Sequence, residues 1–336
     1  KLVLFFVGIL TFFGLVWHIG PARIAETVGH LGPAALAFVL LPSLVMYSLE
    51  AWGWRLTLGT HAHAVPFWKL LAIRTAGEVV NMTTPSAYVG GEPLKAYLLK
   101  REGVPIVEGL ASVVTAKTTM TIAEILFILL GLACWVFGAS DRAAAGSPDG
   151  SASFVAVLLS VGLLVSGTAA FVVVQRRGLF AGLLGLLRRC GIRIGFLESR
   201  EHKLHELDRL ILQFYSGNTR GFVLSTGACF LGWLAEAMEV YVMLLCLGGP
   251  VDVPRALAIA ALSVFIKGGA FFIPGSIGAQ EAGNVLLLLA YGYSEVTGLA
   301  FALLRRFREL VWICIGLLCL ALMGWPKPES TADIAP

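Results

Sequence analysis

The length of the uninterrupted apolar runs decides what this chain can fold into. Residues 2–17 and 154–174 contain no charged side chain, and the second has the roughly 20 residues needed to cross a hydrocarbon layer about 30 Å thick. Inside such a layer no water pairs the backbone N–H and C=O groups, so a spanning segment must satisfy them as a helix or join a closed barrel. Barrel strands alternate apolar and polar residues over about ten positions, whereas these runs are apolar throughout. The expected fold is therefore an all-α polytopic membrane protein. Composition agrees, with 57% hydrophobic residues, 14% charged residues and a mean hydropathy of +0.83. That balance excludes an ordinary soluble domain, and nothing in it points to nucleic acid.

Residues 1–32 read as an N-terminal membrane helix and a short link. A second helix is expected over 33–58, with Trp52 and Trp54 as interface anchors. The stretch 66–83 is helical but carries Lys69, Arg74, Glu78 and Asn81, too polar to face lipid. Arg74, Glu78 and Asn81 fall at i, i+4 and i+7, which puts them on one helix face where Arg74 and Glu78 can pair. The plainer reading is the solvated face of an interfacial helix. The backbone then breaks at Pro85 and Gly90-Gly91 and restarts at Glu92-Pro93, an acid and a proline suited to a first helical turn. Two short helices about such a break read as a re-entrant hairpin. A long crossing over 107–137, carrying Lys117 and Glu124 one heptad apart, completes a unit of residues 33–138.

The unit appears twice. At a constant offset of 189 residues, Pro85, Glu92, Leu98, Leu99, Gly103, Val107, Gly109, Leu110 and Ala111 meet identical residues from Pro274 and Glu281 through to Ala300, Lys117 meets Arg306, and Glu50 meets Glu239. Nine identities over 33 positions compare with about three expected by chance, the signature of an internal repeat. The second copy occupies residues 220–325, before a polar tail of residues 326–336.

Between the copies, residues 139–219 supply an outer loop, a clean crossing at 154–174 and a basic segment. Residues 176–220 hold nine of the 25 Lys and Arg residues, which marks a cytoplasmic loop. Its first half, 179–187, reads as a helix in the headgroup layer over anionic lipid. Its second half, 198–214, reads as an amphipathic helix with Leu204, Leu207, Leu210, Ile211 and Phe214 on one stripe. His202 and His205 share the other face without a metal-binding motif, and no metal or cofactor is expected. The cysteines read as small core hydrophobes. With 176–220 and the N-terminus cytoplasmic, 33–58 runs inward and 222–247 outward, so the repeats should be inverted, with about six full crossings plus two hairpins.

Inverted repeats with broken helices are how many transporters build a site open alternately to either side. Candidate site residues are the charged ones the membrane would otherwise reject: Glu50, Arg74, Glu78, Asn81, Glu92, Lys95, Lys117, Glu239, Lys267, Glu281 and Arg306. Structural pairing, such as Glu78 with Arg74 or Glu309 with Arg305, is the plainer account of some of them. Glu92 and Glu281 sit at helix starts, where the dipole favours an acid or a bound anion, and Lys95, Lys117 and Arg306 would suit a phosphate.

At Gly90-Gly91-Glu92-Pro93-Leu94-Lys95 and Pro274-Gly275-Ser276-Ile277-Gly278-Ala279-Gln280-Glu281 the sequence resembles the flippase-like membrane domain of the lysylphosphatidylglycerol synthase family, in a stand-alone form similar to hopanoid-biosynthesis-associated membrane proteins. The second motif departs from a Gly-Gly form at Ser276. The resemblance implies a multi-pass protein of the bacterial inner membrane that translocates a phospholipid or an isoprenoid or hopanoid-type lipid. Its alternative is a non-transporting lipid-binding partner of lipid biosynthesis enzymes. Aminoacyl-transferring members carry a large soluble domain that an 11-residue tail does not supply, so no transferase activity is carried over. An intramembrane transferase is the weakest reading, since no nucleophile or metal constellation is evident.

Overall fold

The computed structural model describes residues 31–83, 90–137, 201–269, 273 and 276–323, together with single positions 17, 22, 26, 29, 162, 166, 169 and 173. The expected helix over 2–17, the breaks at Pro85 and Pro274, the loop 139–151, most of the 154–174 crossing, the 179–187 segment and the tail lie outside the described residues. Among the described residues there are nine α-helices and no strand. They are α1 (Pro33–Thr57), α2 (Phe67–Thr83), α3 (Gly91–Arg101), α4 (Ile106–Phe137), α5 (Glu201–Gly217), α6 (Thr219–Cys246), α7 (Val253–Gly269), α8 (Ala279–Ala290) and α9 (Glu295–Met323).

The two expected units have the same helical plan. Adding 189 to the bounds of α1 to α4 gives 222–246, 256–272, 280–290 and 295–326, against 219–246, 253–269, 279–290 and 295–323 for α6 to α9. Both short helices end on a glycine with positive φ, Gly103 at 89° and Gly292 at 82°, the left-handed conformation that glycine adopts without penalty. The 17 residues of α2 and the 11 of α3 reach about 25 and 16 Å at 1.5 Å per residue, short of a full crossing and in keeping with a hairpin. By length and apolarity α1, α4 and α6 suffice to cross a membrane. Helix α9 is as long, but Arg305, Arg306, Arg308 and Glu309 interrupt its centre.

Equivalent helices α1 and α6 make the most extensive helix–helix contact among the described residues. A Cβ at Gly53 would lie 3.1 Å from the Cys229 sulfur, and one at Gly232 would lie 3.4 Å from Cγ of Glu50 and 3.5 Å from the Met46 carbonyl. Ascending α1 therefore descends α6: the partners are antiparallel, and the repeats are inverted as expected. Two further extensive contacts are exchanged between repeats, α4 packing on α7 and α9 on α2. Both seams are glycine-cut. Gly131 meets Ala258 and Ala261, and Gly316 meets Thr75 and Val79, so closely that a side chain at either would collide, the close backbone approach that membrane helices use in place of a hydrophobic drive.

Two expectations about side chains are corrected. Trp52 is exposed, but Trp54 is buried and donates its Nε1–H to Ser112 Oγ at 3.3 Å; it is a core residue of the first unit and not an interface anchor. Cys229 is buried as a core residue, whereas Cys314 is exposed on α9. Helix α5 forms over the expected amphipathic stretch, with Leu207 and Ile211 packed against Val107, Leu110, Ala111 and Val114 at the start of α4.

Candidate functional site

The hairpin of the first repeat is closed by its polar residues. Asn81, in the last turn of α2, accepts the Gly91 backbone N–H at 2.7 Å and donates to Glu92 at 3.1 Å, so it ties off the start of α3. Lys95, one turn on, holds Glu92 at 3.1 Å and Glu78 at 3.5 Å. Its stem lies over Gly77, where any side chain would collide with it. Lys117 comes from α4 and reaches Glu92 at 4.0 Å. Arg74 does not pair with Glu78. It turns across the helix interface to Glu50 and lies 4.6 Å above the Tyr47 ring, because α2 packs on α1 and the arginine is the longer reach. Tyr47 stacks in turn on Trp312 of α9 at 4.1 Å.

The second repeat repeats the theme with other partners. Glu281 accepts the Gly278 N–H at 2.6 Å, capping α8, and pairs with Arg306. The acid of each short helix thus faces the base of each long helix, Glu92 with Lys117 and Glu281 with Arg306. Arg306 also holds Glu309 at 2.6 Å, and Lys267 holds Glu309 at 2.8 Å. Arg305 does not pair with Glu309 but with Glu236. Arg308 bridges Glu236 at 3.6 Å and Glu239 at 3.3 Å. Equivalent acids Glu50 and Glu239 are both neutralised by arginine, one from α2 and the other from α9. Ser276 has φ of 50°, a left-handed conformation that glycine adopts more readily than serine.

A cavity of about 280 Å³ lies between the repeats. A liquid water takes about 30 Å³, so it has the room of about nine waters, enough for a compact polar headgroup and too little for lipid chains. Its charged walls are Glu50, Arg74, Glu78, Lys117 and Glu124 from the first repeat and Glu236, Lys267, Arg308 and Glu309 from the second. A cavity of about 40 Å³ shares Glu50, Arg74, Glu78 and Lys117 and adds Glu92 and Lys95. Seven of the candidates therefore converge on these two spaces, while Asn81, Glu239, Glu281 and Arg306 line neither. Of the cavity cations, Lys117 is the most open, with 44% of its side chain exposed. Lys95 and Arg306, expected to suit a phosphate, are spent on carboxylates. Among the described residues no three His, Cys, Asp or Glu side chains form a group that could hold a metal ion.

The family described as the lysylphosphatidylglycerol synthase TM region matches residues 2–317. The chain belongs to that family. Relatives of this lysylphosphatidylglycerol synthase TM region protein include a UPF0104 membrane protein of Methanothermobacter thermautotrophicus, 22% identical over 88% of this chain and 86% of the relative. Another UPF0104 membrane protein, from Pyrococcus horikoshii, is 24% identical over 93% of each chain. In this family member the long helices carry more of the site than the hairpin motifs that announce it. Arg308, Tyr47 and Trp233 escaped the sequence reading. Only Arg308 left a usable signal there: a third arginine in the run Arg305-Arg306-Phe307-Arg308-Glu309, inside an otherwise apolar helix, demands carboxylate partners on its neighbours.

Proposed function

We propose that the protein binds a lipid by its charged headgroup in the cavity between the repeats and carries that headgroup across the membrane while the chains stay in the bilayer. The observation that carries this reading is the cavity itself, walled by ionisable side chains from both inverted repeats. Charge inside a membrane is costly, at least about 2.5–3.5 kcal/mol per residue at a helix centre, and structural pairing alone does not require an open space of this size. Two inverted halves sharing one site give it an equivalent route to either face. The lipid is a phospholipid or an isoprenoid or hopanoid-type lipid, with its anionic group on Lys117.

The test is reconstitution in liposomes containing a fluorescent phospholipid whose outer-leaflet label is quenched chemically. Wild-type protein should expose inner-leaflet label to the quencher, and Lys117→Ala should lose most of that movement at wild-type folded yield, because its 4.0 Å pair with Glu92 is loose and half-open and contributes at most about 1 kcal/mol. Lys69→Ala, which removes an exposed pair with Glu102, is the control that should transport normally. Lipid bound without any movement would replace this reading by the non-transporting lipid-binding partner, and turnover of the headgroup would make the protein an enzyme.

A further inference from the structure

Five carboxylates wall the larger cavity, and four of them are held by cations within 4.0 Å: Glu50 by Arg74, Glu78 by Lys95, Glu236 by Arg305 and Arg308, and Glu309 by Lys267 and Arg306. Among the described residues, Glu124 has no such partner, although it lines the same cavity. It sits on α4 one turn from Phe127, whose ring stacks on Trp233 of the other repeat at 5.8 Å, so it stands at the seam across which the repeats must move.

The charges around Glu124 are arranged unevenly. Those that reach it electrostatically are Lys117 on its own helix, Glu236 on α6 and Lys267 on α7. The walls contributed by α1, α2 and α9 present Tyr47, Glu50, Arg74, Glu78, Arg308 and Glu309, and their ions are locked in the pairs just named; Glu92 and Lys95 of α3 line the smaller cavity and hold each other. The two lysines are different. Lys117 rests on Glu92, which already has Lys95, and Lys267 rests on Glu309, which already has Arg306. Each can leave without stranding its acid. They are the spare cations of the cavity, one from each repeat.

We propose that Glu124 is a proton-binding site that couples lipid movement to proton movement. A carboxyl with no cation inside a membrane has two ways to lose its charge's cost: bind a proton, or draw a lysine onto itself. Protonated, Glu124 leaves Lys117 on Glu92 and Lys267 on Glu309, or both free for the anionic group of a lipid. Deprotonated, it competes with that anionic group for the same two lysines and pulls them from α3 and α9. The proton comes from water on the side to which the cavity is open and returns to water after the cavity reorients. Lipid and proton then favour each other's binding, and by linkage the effect is reciprocal. This inference rests on the lipid-translocation reading and assigns its driving ion.

Two measurements test it on the purified, full-length protein. Infrared pH-difference spectra should show a protonated carboxyl band that disappears in Glu124→Gln and persists in Glu78→Gln; no Glu124-dependent band at any pH overturns the proposal without any transport assay. In liposomes of an anionic phospholipid bearing a fluorescent analogue, an imposed gradient of one pH unit should change the wild-type initial rate several-fold, with a ceiling of about tenfold for one coupled proton. Glu124→Gln should lose the gradient dependence and Glu124→Asp should retain it. Wild-type lipid movement that ignores the gradient overturns the coupling while leaving translocation standing, and a wild-type protein that moves no lipid at all overturns both.

Discussion

Replacing Arg308 by alanine is the sharpest test of how the second repeat is held. Arg308 is the cation within 4.0 Å of Glu239, whose two carboxylate oxygens are buried and accept no hydrogen bond, whereas Glu236 keeps Arg305 when Arg308 is gone. The substitution therefore strands one buried carboxylate, and removing one partner of a buried pair costs about 3–5 kcal/mol. Glu239→Gln alone leaves Arg308 with Glu236 and should cost about 1–3 kcal/mol, the range for an unmade buried polar contact. The paired replacement Arg308→Met with Glu239→Leu removes both charges and should return to within about 1 kcal/mol of wild type, as buried ion pairs replaced by apolar residues commonly do. The assay is SDS-driven unfolding in mixed micelles, followed by tryptophan fluorescence, with the single and double variants read as a cycle. An Arg308→Ala cost below about 1 kcal/mol, comparable to loss of an exposed pair, would refute the reasoning, and so would a paired replacement worse than the single one.

Three further outcomes follow from geometry. Gly53→Cys should form a disulfide with Cys229 on mild oxidation, visible by peptide mass spectrometry, because a Cβ at position 53 lies 3.1 Å from that sulfur; absence of the cross-link would deny the antiparallel α1–α6 contact. Gly131→Leu should abolish folded protein on size-exclusion chromatography by forcing α4 off α7, whereas Gly227→Ala, with open space around it, should be neutral or stabilising by up to about 1 kcal/mol. Ser276→Gly should raise stability by about 1 kcal/mol by relieving the left-handed conformation of a buried serine, read as a higher unfolding midpoint; a lower one would mean that contacts of the serine hydroxyl outweigh the backbone cost.

Much of the architecture was legible in the residues because membrane helices announce themselves twice, by apolar length and by the breaks between them. The offset read from Pro85 and Glu92 against Pro274 and Glu281 carries over to every helix of both units. Charge pairing was less legible. Spacing along one helix suggested Arg74 with Glu78 and Arg305 with Glu309, yet both arginines turn to acids on other helices, Glu50 and Glu236. Sequence spacing reports which residues share a face, and only the packing of α2 on α1 and of α9 on α6 reports what that face meets. Trp54 failed for the same reason: it lies near the end of α1, where an interface anchor belongs, but α4 covers it. Glu124 was legible as a charge inside an apolar run and illegible as an unpaired one, since absence of a partner is a property of the whole fold.

The antiparallel contact between α1 and α6 joins two equivalent surfaces, as in the interface of a two-fold symmetric dimer, where each patch meets its own copy. A polypeptide of a single repeat that entered the membrane in both orientations would have met itself through this face, and each substitution there would have acted twice. Joining two such copies head to tail in one chain fixes one copy in each orientation and frees the two halves to diverge. Lysine at 117 against arginine at 306, and glutamate at 78 against lysine at 267, are the divergences that matter here: the base that meets the short helix's acid is distant and half-open in the first repeat and closely paired in the second, an imbalance that a strictly symmetric pair of chains cannot possess.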